Sequence, residues 1–163
     1  MPELSSVVTE TLASYYEEVR DQVHKLVAPL STEQLWRNPY GYGNSVGHLL
    51  LHITGNLNHY IGARIGGTGY VRNRPLEFAD TSHRPKEEAL SAFDRAIDMV
   101  VATIRKQSHA DWVAPYSDPT SPHDSNRFSV IQRMAAHASH HAGQMIYLAK
   151  ELARTRPGAR TAD

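Results

Sequence analysis

A histidine-rich segment, residues 134–145, holds the side chains of this chain that are best suited to metal chemistry. Its context is strongly helical, and His137 and His141 lie four positions apart. Side chains at positions i and i+4 are neighbours on a helix surface, so these two imidazoles can reach one ion. His140 points about 100° away from His141 and belongs to the flank of the helix. We therefore predict that His137 and His141 form a chelating pair.

Three more histidines, His48, His52 and His59, lie on a second segment with helical periodicity. Of these, His52 is nearest to the apolar face of its helix, which favours it as a third ligand. His59 differs from it in direction by only some tens of degrees. His48 and His52 also have the i, i+4 spacing, so both alternatives stay open. Two helices that present histidines toward a shared core can build a metal site inside a bundle.

Histidines on an apolar helix face also have a purely structural interpretation. A single core histidine is more often hydrogen-bonded to the backbone than bound to a metal. Two inward histidines in one apolar layer are harder to satisfy in that way, because both must stay uncharged and both need partners. For the pair His137 and His141 alone, we weigh metal binding and core hydrogen bonding equally.

The amino-acid composition restricts the kinds of site that the chain can build. Ten of the 163 residues are histidine and none is cysteine, which excludes disulfides, a thiolate nucleophile and cysteine-ligated metal sites. Lysine plus arginine equals aspartate plus glutamate, 17 each, so no broad basic surface for nucleic acid is expected. No signal peptide is visible, and no apolar run is long enough to span a membrane. We predict a cytoplasmic protein that binds neither membranes nor nucleic acid.

Four long segments with the periodicity of amphipathic helices can position these histidines. They cover about residues 4–29, 45–65, 85–104 and 126–153. Ser45 is a predicted N-cap of the second segment.

The connections between these segments are rich in Gly, Pro, Asn, Asp and Ser. Residues 31–34 have the form of a capping box, which predicts one short helical turn. Residues 70–84 are predicted to be an irregular crossover, and residues 108–126 a loop. The whole pattern predicts one all-α domain over residues 1–163, a four-helix bundle with a long crossover between helices 2 and 3. Its core covers about residues 3–153, and residues 154–163 form a frayed tail.

The chain resembles the DinB/YfiT-like metal-dependent four-helix proteins. The resemblance rests on residues 45–53, SVGHLLLHI, on residues 137–145, HASHHAGQM, and on the spacing of the four helices. In that family the second helix supplies one histidine, and an H-x-x-x-H that ends in His-x-Gly-Gln supplies two more. The resemblance therefore implies that the metal ligands are His52, His137 and His141.

Membership of this family would imply more than the ligands. Proteins that this chain resembles bind a divalent metal, often zinc or nickel, and often form homodimers. Characterised relatives include transferases and isomerases that use low-molecular-weight thiols such as mycothiol or bacillithiol. The resemblance thus implies a small-molecule substrate and a thiol as a possible cosubstrate.

Three neutral imidazoles with an open coordination position are typical of a catalytic metal site. Our leading hypothesis is a divalent-metal-dependent enzyme, either a thiol transferase or a hydrolase; the alternative is a non-catalytic metal- or small-molecule-binding protein of a stress response. A third hypothesis is a structural helical dimer. Spacing does not reveal a general base, because Glu17, Glu18, Asp94 and Asp98 are predicted to be solvated. The candidates for groups that support the ligands or orient a substrate are Asn56, His59, Gln144 and His48, with Tyr42 and His123 on loops that could border the site.

Overall fold

Four long helices frame the molecule, and short helices fill the connections between them. The computed structural model describes residues 3–154. The helices are α1 (Leu4–Val27), α2 (Thr32–Trp36), α3 (Val46–Leu57), α4 (Arg74–Ala79), α5 (Lys86–Arg105), α6 (His109–Val113) and α7 (Arg127–Arg154). Within this part of the chain there is no strand, only an isolated β-bridge between Pro115 and Asn126. The predicted frayed tail lies outside the described residues apart from Arg154, which ends α7.

The four long helices pack in a square whose order differs from their order in the chain. Helix α1 packs against α5 and α7, and α3 packs against the same two helices. Consequently α1 and α3 occupy diagonal corners, and α3 and α7 are neighbours. Each long helix contributes large, fully buried side chains to one core, among them Tyr16, Ile53, Phe93 and Ile131. The predicted all-α bundle is confirmed.

Local sequence signals begin these helices where they were predicted. The Ser45 side chain accepts a hydrogen bond from the backbone N–H of His48 and caps α3. Ser31 and Gln34 form a complete capping box at the start of α2. The Asn126 side chain accepts from the N–H of Ser129 at the start of α7.

Two segments that were predicted to be irregular each contain a short helix. Asn73 caps α4, and Pro75 lies in its first turn. Ser108 and Asp111 form a capping box at the start of α6. These helices are too short to show a periodic apolar stripe, and tertiary contacts hold them instead. Each buries one anchor, Glu77 in α4 and Trp112 in α6.

The second long helix does not stay α-helical to its end. A π-helical segment, Asn58–Ala63, continues α3, with a hydrogen bond from the Arg64 N–H to the His59 carbonyl five residues earlier. The wider turn changes the direction of the side chains that follow, compared with a continuous α-helix. It therefore decides where His59 and Tyr60 lie relative to His52.

Across residues 3–154, no helix combines the length and the hydropathy that crossing a lipid bilayer would require.

Two adjacent tyrosines of α1 allow a test of how firmly this helix is joined to α7. Tyr16 is fully buried and donates to the Ile131 carbonyl at 2.7 Å, whereas Tyr15 shares a 2.6 Å hydrogen bond with Ser139 at the surface. We expect Tyr16→Phe to lower the free energy of unfolding by about 1–2 kcal/mol, because a buried hydrogen bond is lost. The control Tyr15→Phe should cost about 0.5 kcal/mol or less. Urea unfolding measures both, and equal losses would contradict the assigned burial.

Candidate metal centre

Three histidines from two neighbouring helices converge at one point. His52 comes from α3, and His137 and His141 come from α7. Each offers a ligand atom, and these atoms all lie within 4.8 Å of one another. The Nε2 atoms of His52 and His137 are 3.0 Å apart. Two nitrogens bound to one tetrahedral ion are separated by roughly 3.4 Å, so the cluster is compatible with a divalent metal.

The orientation of His52 is determined by a buried carboxylate. His52 is 5 % exposed, and its Nδ1 lies 2.8 Å from Oε2 of Glu77, a residue of α4. A carboxylate only accepts hydrogen bonds, so this Nδ1 carries the proton. In the neutral ring Nε2 then keeps its lone pair, and it points toward His137. A carboxylate behind a histidine is a common arrangement at metal sites, because it fixes both the tautomer and the ring.

Arg72 holds this carboxylate from the other side. Its Nε donates to Oε1 of Glu77 at 2.6 Å and its Nη2 to Oε2 at 2.8 Å. Burial by itself raises the pKa of the Glu77 carboxyl. The hydrogen bonds from Arg72 and His52 outweigh burial, and the pKa lies below its ordinary value. Glu77 is therefore an anion at neutral pH, able to accept the proton of His52.

His141 has one satisfied nitrogen and one that lacks a partner. Its Nδ1 lies 2.7 Å from Oε1 of Gln144, an acceptor, so Nδ1 is the protonated nitrogen. Its Nε2 is buried and has no hydrogen-bond partner among the residues described. Buried nitrogens are rarely left in this state, because an unpaired one costs about 1–3 kcal/mol. The lone pair on Nε2 fits a metal ligand.

Burial favours the uncharged forms of His137 and His141 at neutral pH. Burial, followed by the imidazoles of His141 and His52, lowers the pKa of His137 to about 4. Burial also lowers the pKa of His141, against the opposing effect of its hydrogen bond with Gln144. A neutral imidazole is the form that binds metal ions.

The pair lies less far inward on α7 than its assignment to one apolar layer suggested. His137 and His141 are half-buried and lie at the edge of the buried face, not in its middle. Three alanines, Ala135, Ala138 and Ala142, occupy the centre of that face. A sequence pattern based on large apolar residues does not reveal these alanines. Their small side chains allow neighbouring helices to approach closely.

The other candidate residues are placed as follows. Gln144 supports His141, as described above, and Asn56 is buried one turn from His52. His59 lies 3.1 Å from the buried carboxylate of Asp118 and is not part of the histidine cluster. His48 bonds the Ser45 hydroxyl and the Asp80 carbonyl, which gives it a structural role beside Trp36.

The two loop candidates lie away from the cluster. Tyr42 is 78 % exposed and stacks on Tyr40. His123 is exposed on the loop before α7. Neither lines the cavity described next.

A cavity of about 550 Å³ adjoins the histidine cluster. His52 and His137 form one part of its wall, and Asn56, His59 and Tyr60 extend the wall along α3 and its π-helical end. A cavity of this size can hold a small organic molecule. Such a molecule would be in contact with two of the three histidines.

Sequence reasoning missed Glu77 and Arg72, the two residues that orient His52. Both lie in the crossover that was predicted to be irregular. The Asn73-Arg74-Pro75 start of α4 is a helix signal that could have revealed the short helix, but nothing local indicates that Glu77 turns toward His52.

Comparison with known proteins agrees with this architecture. The family model described as the DinB superfamily matches residues 15–145, a span that includes all three histidines of the cluster. This match confirms the resemblance seen in the sequence. No curated protein and no solved structure matches the chain.

Gly55 allows Glu77 to reach His52, and this can be tested. A Cβ added at Gly55 would overlap the Glu77 carboxylate, whereas one at Gly143 on α7 meets nothing within 4 Å. We expect Gly55→Ala to lower the free energy of unfolding by about 1–3 kcal/mol through overpacking. The control Gly143→Ala should raise it by about 0.5–1 kcal/mol, since alanine favours the helix. If urea unfolding finds both variants stabilised, α4 does not pack on α3 as described.

Proposed function

The chain belongs to the DinB superfamily, and from this membership and the histidine cluster we propose that it is a divalent-metal-dependent enzyme acting on a small molecule. His52, His137 and His141 are the proposed ligands. Three imidazoles leave a coordination position for a substrate or water, which distinguishes catalytic from structural sites. Zinc or nickel is the proposed metal, and the cytoplasm the proposed location.

One observation carries this proposal: the buried Nε2 of His141 that has no partner. In a purely structural core this nitrogen would need a hydrogen-bond donor, and none lies near it among residues 3–154. Nδ1–H of His52 donates to Glu77 and Nδ1–H of His141 donates to Gln144, so in each neutral ring the opposite Nε2 carries the lone pair. His137 Nε2 can reach the lone pair of His52 at 3.0 Å, but no residue of the described chain reaches that of His141, and a shared cation would satisfy both.

The protein's own groups hold the site ready for chemistry. Arg72 and Glu77 keep His52 in one tautomer, and Gln144 does the same for His141. A bound divalent ion supplies Lewis-acid activation, by lowering the pKa of a water or of a thiol. His59, held by Asp118, lines the cavity outside the cluster and can accept a proton from a bound molecule.

The reaction class that fits is either transfer to a low-molecular-weight thiol or hydrolysis. The chain has no cysteine, so a thiolate must come from a cosubstrate. We propose that the protein acts as a homodimer on a small molecule. The cavity beside the cluster favours an enzyme over a protein that only stores metal.

Metal binding is tested by comparing His137 with His140. His140 is exposed, three residues further along α7, and does not belong to the cluster. We expect the wild-type protein and His140→Ala to bind one equivalent of zinc or nickel, and His137→Ala to lose it because a ligand is removed. Metal analysis after gel filtration measures the stoichiometry. One equivalent bound by His137→Ala with unchanged affinity would refute the site.

The same variants separate an enzyme from a binder. Metal-loaded protein is assayed with thiol cosubstrates and with ester and amide panels, and chelated protein is the blank. Turnover by wild type and His140→Ala, but not by His137→Ala, supports the enzyme. A protein that binds metal and turns over nothing in the panel favours the non-catalytic alternative.

The role of Glu77 gives a second test of the metal site. Glu77→Gln removes the charge that orients His52, so we expect metal affinity to fall about 10- to 100-fold while the stoichiometry at saturation stays at one. The control is Glu87→Gln, an exposed position in the first turn of α5. Competition with a fluorescent chelator measures both affinities. Equal affinities would mean that the carboxylate does not tune the site.

A further inference from the structure

The charged side chains that line the cavity beside the histidine cluster are all arginines. Arg72, Arg74 and Arg133 line it, and no aspartate or glutamate of the described residues does. The chain as a whole has equal numbers of acidic and basic residues, so this is a local concentration of positive charge. Such a wall attracts anions and disfavours cations.

Two of these arginines form ion pairs with carboxylates that do not line the cavity. Arg72 uses Nε and Nη2 on Glu77, and Arg133 uses the same two atoms on Asp124 and Ser121. Glu77 and Asp124 are both buried. In each arginine Nη1 has no partner among the described residues, so each guanidinium is fixed in place and still has donors for a ligand.

Arg74 differs from the other two because it has no carboxylate partner in residues 3–154. Its guanidinium lies 5.7 Å from the centre of the Phe78 ring, and it takes part in no ion pair among the described residues. It belongs to the first turn of α4, the helix that also carries Glu77. Arg74 is solvent-exposed, and it adds to the cavity wall a positive charge that is not paired with any carboxylate of the described residues.

Asn56 provides a second, independent sign of a ligand. Its side chain is 5 % exposed and lines the cavity, yet Oδ1 is buried without a hydrogen-bond partner. Exchanging the two ends of the amide would leave a buried N–H unsatisfied instead, so either assignment needs an outside partner. Asn56 follows His52 by one helical turn, so the two side chains are neighbours on the face of α3 that lines the cavity.

We propose that this cavity binds a small-molecule oxyanion, a carboxylate or a phosphate, as the substrate of the metal site. The anionic group pairs with Arg74 and with the available Nη1 atoms, since guanidinium forks match both kinds of oxyanion. A hydrogen-bond donor on the same molecule reaches Asn56. The inference rests on the proposed function in placing this molecule beside the metal ligands.

The experiment uses the zinc-loaded full chain and two matched pairs of probes. N-acetylglycine is compared with N-acetylglycinamide, and methyl phosphate with trimethyl phosphate. Each pair removes the negative charge, at similar size in the first pair and with two added methyl groups in the second, and the two pairs distinguish carboxylate from phosphate. Ligand-observed NMR titrations give the dissociation constants. We expect the anion of at least one pair to bind at least about tenfold more tightly than its neutral counterpart.

Arg74→Ala and Arg95→Ala separate the cavity from general charge effects. Both remove one positive charge, but Arg95 is an exposed residue of α5 whose guanidinium donates to Ser91. We expect Arg74→Ala to weaken anion binding about tenfold and Arg95→Ala to leave it unchanged. Equal effects of the two variants, or equal binding of charged and neutral probes, would overturn the proposal.

Asn56→Leu distinguishes a ligand-binding amide from a structural one. The substitution keeps the side-chain size and breaks no hydrogen bond within the protein, so the melting temperature should stay the same or rise. We expect binding of the preferred anion to fall at the same time. A lower melting temperature with unchanged binding would assign Asn56 a structural role and overturn its part in the site.

Metal content keeps this test separate from the test of the proposed function. If wild-type protein binds one equivalent of zinc and shows no preference for either anion, the inference on the substrate fails alone. If it binds no zinc, the titrations are made on the protein without metal. Anion binding that depends on Arg74 then upholds the oxyanion cavity, while the metal-dependent function fails.

Discussion

The structure depends on orienting three imidazoles where two helices meet, and on keeping the α7 pair, His137 and His141, uncharged. Burial and mutual repulsion lower the pKa of His137 to about 4, so the α7 pair stays neutral. Neutrality alone does not aim the lone pairs, and each ring also needs a partner on its other nitrogen. Glu77 and Gln144 provide these partners for His52 and His141. The order of the bundle serves this arrangement, because α3 and α7 must be neighbours for His52 to reach the other two.

The crossover between α3 and α5 is part of the site and not only a connection. Glu77, which orients His52, and Arg74, the arginine without a carboxylate partner, both lie on the six-residue helix α4. Arg72, which holds Glu77, lies just before this helix. Gly55 lets that helix lie directly against α3.

Much of the fold and the histidine set could be predicted because the signals are local and periodic. The i, i+4 spacing of His137 and His141, the cap at Ser45, the capping box over residues 31–34 and the apolar stripes each need only a few neighbouring residues to be recognised. The irregular crossover and the loop were wrong in part, because α4 and α6 are shorter than the window over which periodicity can be seen. The π-helical end of α3 has no comparable local signal, so the direction of His59 was open.

The sequence by itself determined the helices, their capped ends and which histidines share a helix face, since backbone geometry converts spacing into direction over one or two turns. Only the tertiary structure decided that α1 and α3 are diagonal, that His52 meets the α7 pair, and that Glu77 and Arg72 stand behind it. It also decided that Arg74, which has no carboxylate partner among the described residues, and Asn56, whose Oδ1 has no hydrogen-bond partner, line the same cavity. These features depend on contacts between residues that are distant in the chain. The packing of whole helices sets the distances between their side chains, and no local sequence pattern predicts those distances.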